Sequence, residues 1–417
     1  MPKRSATTGP FQGMLYDAYQ TYADLHHPIR TLAASADRML SLWSAMRHAT
    51  PARRMAAYCE LVALAGFTHS RPDFGLRSIA ASDGVARVFE TQVLATRFCT
   101  LVRFMREGGE SDPQVLLVAP MSGHFATLLR STIRTLLRDH IVYVTDWRNA
   151  RDIPLAQGIF GLDDFVQHII DFLKFLGPER HVVAVCQPVA PALAAAAVMA
   201  QEDDPDQPAS LTLIAGPIDA RISPTKVNEL ATSRPLDWFR EQLIGVVPRS
   251  LPGAGRRVYP GFLQLAAFMN MNIERHSKAF VDLFKSRVEG DMGKADQIRE
   301  FYKEYFAIMD LDARFYLETV EIVFQKYALP RGELRFKGRL VEPRAIRKTF
   351  LLTVEAGKDD ICSIGQTLAA QDLCTGLRPY MKSHHLQIDV GHYGSFSGRR
   401  WDTQIYPVVR DHIHASR

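Results

Sequence analysis

The chain has no run of about 18 consecutive apolar residues, the length a membrane-spanning helix needs. Its first ten residues carry Lys3 and Arg4 but lead into no apolar stretch of signal-peptide length, so a cytoplasmic protein is expected. Cysteine is scarce: Cys59, Cys99, Cys186, Cys362 and Cys374 make an odd five without C-x-x-C spacing. That argues against both a disulfide framework and a zinc site, and most of them are expected as small buried apolar residues. A strong excess of charge is missing too. The 50 basic and 45 acidic residues leave a formal +5, and no basic stretch is interleaved with aromatics, so no nucleic-acid partner is expected. The histidines, the pairs His26-His27 and His384-His385 among them, lack the helical or cluster spacing of metal ligands. Neither a metal nor a cofactor is therefore expected. Internal repeats and low-complexity segments are absent.

What is present is an ordinary globular composition, 47% hydrophobic and 23% charged over 417 residues. That length suits one large domain with insertions, or two domains. Residues 1–111 read as an N-terminal helical region. From Gly13 to about Arg106 no β-rich run is evident, and Ile29, Leu32, Met39, Leu40, Trp43 and Met46 recur at three- and four-residue spacing. Packing against the rest of the chain is favoured over a surface for a partner. In residues 112–217 the character changes after Asp112-Pro113. Short apolar runs at 115–119, 141–145, 181–185 and 211–215 alternate with helical stretches at 124–138, 162–176 and 188–200. Strands apolar throughout belong to a parallel sheet covered on both faces, joined by right-handed crossovers. Residues 218–347 turn helical and aromatic with no clear strand, as an inserted cap over the strand ends would. Its aromatics are expected mainly as the cap's own core. Residues 348–417 return to the core with a strand at 349–354.

The most informative stretch is His181-Val-Val-Ala-Val-Cys-Gln-Pro-Val-Ala-Pro-Ala-Leu-Ala, a strand that runs into Cys186 and then into an alanine-rich helix. That is the layout of the nucleophile elbow of α/β-hydrolases, usually G-x-S-x-G, in which small residues let strand and helix approach closely. Here the flanks are Ala184 and Pro188. Alanine is the next smallest side chain, and a proline in a first helical turn forgoes an N–H that would have no intrahelical partner. Cysteine can replace serine, because a thiolate is a strong nucleophile and is favoured at a helix N-terminus. The competing reading is one more small residue buried at a strand end.

The hydrolase order of nucleophile, acid and histidine is met by two later segments. Thr349-Phe-Leu-Leu-Thr-Val-Glu-Ala-Gly-Lys-Asp-Asp ends in Asp359 and Asp360, and Leu386-Gln-Ile-Asp-Val-Gly-His ends in His392. Asp359 is the first choice for the carboxylate that orients His392, with Asp360 second; a solvated turn or a helix cap is the plainer alternative for either. An oxyanion hole would use the backbone N–H of Gln187 and one from the loop Ala119-Pro-Met-Ser-Gly-His, from Met121 or Ser122.

Together with Val144-Thr-Asp-Trp-Arg-Asn-Ala-Arg-Asp and Gly391-His-Tyr-Gly-Ser-Phe-Ser-Gly-Arg-Arg-Trp, these segments make the chain resemble the intracellular poly(3-hydroxybutyrate) depolymerases. The resemblance runs over nearly the whole chain. It implies an α/β-hydrolase fold with an N-terminal helical region and an inserted helical cap, and a Cys-Asp-His triad carried onto Cys186, Asp359 and His392. It also implies hydrolysis of storage-granule polyester to 3-hydroxybutyrate oligomers and monomers through a cysteine acyl-enzyme, at the granule surface. Coenzyme A as an alternative acceptor and a homo-oligomer are left open. The related polyhydroxyalkanoate synthases keep a G-x-C-x-G elbow, so Ala184 and Pro188 favour the depolymerase. The rivals are a synthase-like acyltransferase and a non-catalytic granule-binding protein.

Overall fold

The computed structural model describes residues 10–47, 50–81, 84–271 and 273–416. Nine strands make one sheet: β1 (Ser78–Ala81), β2 (Gly84–Ala95), β3 (Cys99–Arg106), β4 (Gln114–Val118), β5 (Ile141–Trp147), β6 (His181–Val185), β7 (Ser210–Ile214), β8 (Phe350–Ala356) and β9 (Lys382–Gln387). Their spatial order is β1-β2-β3-β5-β4-β6-β7-β8-β9. Pairings from β5 to β9 are parallel, and those joining β1, β2, β3 and β5 are antiparallel. The apolar run of β6 and the apolar stretches of β4 and β5 are explained by position: all are central, and helices cover both faces. This mostly parallel, doubly covered sheet is the α/β-hydrolase architecture.

The crossover helices fall where the apolar spacing puts them. α4 (Leu162–Leu176) buries Phe165, Val166, Ile169, Phe172 and Leu173 along one face, and Gly177, at φ +81°, stops it. α5 (Val189–Gln201) is alanine-rich and almost wholly buried, so small side chains let it lie close to the sheet. The expected helix over 124–138 is a 3₁₀ turn, Ala126–Leu129, followed by α3 (Arg130–Leu136).

Two expectations need correction. Residues 78–106 are not part of a helical region. They form β1 to β3, the antiparallel edge of the main sheet, so the helical region ends with α2 (Thr50–Leu64). The helical spacing of the preceding stretch does not persist there; Val85, Val88, Thr91, Val93, Thr100, Val102 and Phe104 are β-branched or aromatic and interleave with Arg87, Glu90, Gln92 and Arg103, which suits a half-solvated strand. The cap also contains strands. Gly245–Val246, Arg257–Tyr259 and Leu311–Asp312 form a small sheet, and Arg335–Phe336 pairs with Arg339–Leu340. At two or three residues each they are too short to show a period.

The first helix, α1 (Pro10–Arg47), packs one face on the molecule. The Tyr16 hydroxyl donates to the buried Asp310, whose other oxygen accepts the Gly261 N–H at 2.9 Å. Tyr19 stacks on Phe262, and Arg287 bridges Asp37 and Glu60 at 2.6 Å each. No helix among the described residues is long and apolar enough to cross a membrane.

Candidate active site

Cys186 follows the last residue of β6 and adopts φ +67°, a left-handed conformation that costs a non-glycine residue about 1–3 kcal/mol and marks functional turns. The turn is held by hydrogen bonds from Cys186 N to Ile214 O at 2.8 Å and from Val189 N to Cys186 O at 3.2 Å. Gly216 explains how a tight elbow forms without flanking glycines. A Cβ there would lie 2.1 Å from the Cys186 carbonyl oxygen, so the close approach falls on the chain leaving β7 rather than on positions 184 and 188. Sequence reasoning passed over Gly216, because its constraint comes from a segment thirty residues away.

The segments after β8 and β9 bring the acid to the histidine. Gly357 N donates to Gln387 O at 2.8 Å and Lys358 N to Val390 O at 2.9 Å, which zips the two turns together. A Cβ on Gly357 would sit 2.3 Å from Ile388 O, so only glycine permits the approach. Asp359 Oδ2 then accepts from His392 Nδ1 at 2.8 Å, and its Oδ1 takes the N–H groups of Ile361 and Cys362, each at 2.8 Å. With both oxygens engaged, the carboxylate is fixed in orientation. Asp360, the second choice from sequence, instead lines an adjacent recess.

The His392 ring is buried. Burial alone would pull its pKa down, but the negative charges of Cys186 and Asp359, and the hydrogen bond to Asp359, outweigh this and hold it well above the usual imidazole value. His392 and Asp359 thus form one hydrogen-bonded pair, and the Cys186 sulfur acts on the same ring through its charge. Of the other cysteines, Cys99, Cys362 and Cys374 are buried, and burial pushes their thiols up.

The loop after β4 is positioned by β5. Thr145 Oγ1 accepts from Ala119 N at 2.9 Å, and Trp147 Nε1 donates to Ala119 O at 2.9 Å. Two residues on, the Met121 N–H points into the site and donates to the side-chain oxygen of Gln187 at 3.2 Å. The Gln187 N–H has no hydrogen-bond partner among the described residues. Two donors, from Met121 and Gln187, therefore flank the cysteine. An amide oxygen already occupies one of them. Ser122 lines the same cavity. The Gln187 side chain had not been singled out from sequence.

Two cavities meet here. An apolar chamber of about 200 Å³ lies over Cys186, Met121 and Gln187, walled by Phe239, Tyr259, Phe315, Tyr316, Val320 and Val323. Part of that wall is the π-helical turn Thr319–Gln325, a form of helix often found at functional sites. Gln264 also lines it, and its Oε1 is buried without a partner. A second recess, of about 450 Å³, opens on His392 and carries Arg275, Gln297, Asp360 and Tyr393. Phe268 and Ile361 belong to both walls. Of the cap aromatics, Phe262, Phe280, Tyr302, Tyr305 and Phe306 form the cap's own core, whereas Tyr259, Phe315 and Tyr316 pack on the main core and wall the chamber. Among the described residues no group of three His, Cys, Asp or Glu side chains could hold a metal ion.

Comparison with known proteins places part of the chain. No curated protein sequence matches it. Among solved structures it is similar to the 2-hydroxy-6-oxo-6-phenylhexa-2,4-dienoate hydrolase of Rhodococcus sp. strain RHA1, at 15% identity over 79% of this chain and 99% of that one, with a TM-score of 0.41. It is also similar to an epoxide hydrolase of Bacillus megaterium, at 13% over 78% and 100%, TM-score 0.47. A thermophilic esterase of Thermogutta terrifontis gives 13% over 81% and 98%, TM-score 0.40. The family model described as PHB de-polymerase C-terminus matches residues 215–417. The matched part, which carries Asp359 and His392 but not Cys186, is similar to the C-terminus of PHB de-polymerases.

Proposed function

We propose that the chain hydrolyses the ester bonds of poly(3-hydroxybutyrate), with Cys186 as nucleophile, His392 as proton carrier and Asp359 as the carboxylate that orients it. The observation that carries this reading is the 2.8 Å bond from His392 to an Asp359 fixed on both oxygens, with the ring under the charge of a cysteine on a strained turn beneath an apolar chamber.

The thiolate adds to the ester carbonyl, and the oxyanion takes the N–H groups of Gln187 and Met121 once the Gln187 side chain swings away. Each such donor is worth roughly 3 kcal/mol of barrier. As the intermediate collapses the C–O bond breaks, and the imidazolium of His392 gives its proton to the departing alkoxide. Without that proton, thiolate would leave in preference. Water, deprotonated by His392, then cleaves the thioester and restores the thiolate–imidazolium pair.

Chain polarity follows from where the proton donor stands. The leaving alcohol must lie on the His392 side, in the recess with Arg275, and the acyl unit in the apolar chamber. In a 3-hydroxybutyrate chain the leaving segment runs toward the carboxyl end, which suits the cation. The acyl segment runs toward the hydroxyl end, whose O–H can satisfy Gln264 Oε1. Such a substrate places the protein at the surface of polyester granules.

Purified protein incubated with amorphous granules tests the reading, with Cys186→Ala in parallel. Release of 3-hydroxybutyrate species by the wild type alone is expected. Equal release by both proteins would end the role of Cys186. No release, with coenzyme A freed from 3-hydroxybutyryl-CoA instead, would favour the synthase-like transferase.

A further inference from the structure

One face of α1 is packed and the opposite face is not, and the open face has a repeat. Leu15, Tyr22, Ile29, Ala36 and Trp43 stand at the first position of successive heptads, and Ala18, Leu25, Leu32 and Met39 at the fourth. The large residues among them are solvent-exposed, Leu32 at 71% and Met39 at 72% of full exposure. The stripe extends over about 42 Å at 1.5 Å per residue. Apolar first and fourth positions held through four heptads are the pattern of a seam between paired helices, and nothing among the described residues covers it.

We propose that the partner is a second copy of this chain, with the two α1 helices packed antiparallel. Side-chain volumes support that direction. With Ile29 opposite Leu32, the same register sets Tyr22 against Met39, Leu25 against Ala36 and Ala18 against Trp43, so small residues receive large ones. A parallel pair would set Ala18 on Ala18 and Ala36 on Ala36, leaving voids, and would crowd Trp43 on Trp43. Antiparallel packing also opposes the helix dipoles. A helix built to lie on an anionic surface would instead carry flanking lysines and arginines, and Thr21, Pro28, Ser35 and His26 stand at the flanking positions.

Sedimentation of the full-length protein, with light scattering, tests the proposal. The wild type is expected at twice the chain mass of 46.9 kDa, and the Leu32→Glu, Met39→Glu double variant at the single mass, still turning over a soluble thiophenyl or nitrophenyl ester. Under oxidation, the variant carrying both Ala18→Cys and Trp43→Cys should crosslink into a dimer, above the wild-type background, and neither single variant should. A wild type that stays monomeric at about 100 µM overturns the proposal, as does a charged double variant that remains dimeric. Crosslinking of either single variant overturns the antiparallel packing. A monomeric wild type that pelleted with polyester granules through this face would assign the face to the granule instead.

Discussion

The chamber above Cys186 and the open face of α1 are both apolar, yet they are built in opposite ways. The chamber is concave, and its walls come from well-separated segments: the loop after β4, the elbow, the turn after β7, the cap helices and the turn after β8. A few polar groups converge in it, namely the N–H groups of Met121 and Gln187 and the amide of Gln264. The α1 face is convex, comes from one continuous segment, and presents no converging polar group. Concave apolar surface with a small number of placed donors and acceptors orients a ligand for chemistry, whereas a straight periodic stripe can only bury area against a matching shape. Chemistry and association should therefore be separable by mutation.

The largest expected effect strikes the chemistry alone. Asp359→Asn keeps the shape but removes the charge that holds His392 in its donating orientation, and kcat should fall by about 10⁴-fold with sedimentation unchanged. The pH profile should move as well. His392 is held well above its ordinary value, so its proton contributes stability fully present below pH 6.5 and lost as pH rises through the folded value. Activity should follow on the alkaline side, since the imidazolium protonates the leaving alkoxide. In Asp359→Asn that alkaline limb should shift to lower pH. An unshifted limb would mean that Asp359 does not hold the ring.

Next in size, Val323→Trp fills the chamber wall. It should cost about 10²-fold in kcat/KM for hydroxybutyrate oligomers, because displacing an ester by about 1 Å from its attack position is worth that much. Alkylation of Cys186 by a small reagent such as iodoacetamide should survive. If alkylation failed equally, the chamber would be the only approach to the sulfur.

Much of this arrangement could be read from the sequence, for identifiable reasons. The elbow, β6 and α5 lie in one continuous stretch whose apolar runs are uninterrupted. Asp359 and His392 announce themselves by standing just past the ends of β8 and β9 in the hydrolase chain order. What stayed hidden acts between segments. Gly216 and Gly357 matter for backbone that passes them from elsewhere, and no local pattern records that. The edge strands β1 to β3 are half solvated, so their polar residues blurred the period. In α1 the three- and four-residue spacing was visible and packing was expected of it, but Ile29, Leu32, Met39 and Trp43 are exposed and the helix packs through Tyr16, Tyr19 and Asp37 instead. The sequence could not reveal that the cap would be held by Tyr16, Tyr19 and Asp37, leaving the heptad stripe turned outward.

Gln187→Ala sharpens the chamber's side of the comparison. Its side chain takes the Met121 N–H that an ester oxygen needs, so substrate exchanges one acceptor for another. Removing the competitor should raise kcat/KM for small esters by up to about tenfold, the worth of one net hydrogen bond. A fall would mean that Gln187 positions the Met121 loop rather than blocking it.

The smallest effect concerns the recess on the far side of His392. Arg275 is exposed there, so its attraction for a carboxylate is screened and worth about fivefold at most. The comparison is between 3-hydroxybutyrate trimer as the free acid and the same trimer as its methyl ester. Wild type should prefer the acid by that factor, the preference should shrink in added salt, and Arg275→Gln should bring the ratio near one. Asp360 shares the recess and opposes the effect, so Asp360→Asn should enlarge the preference. Equal rates on acid and ester by the wild type at low salt would remove Arg275 from substrate binding and leave chain polarity resting on the position of His392 alone.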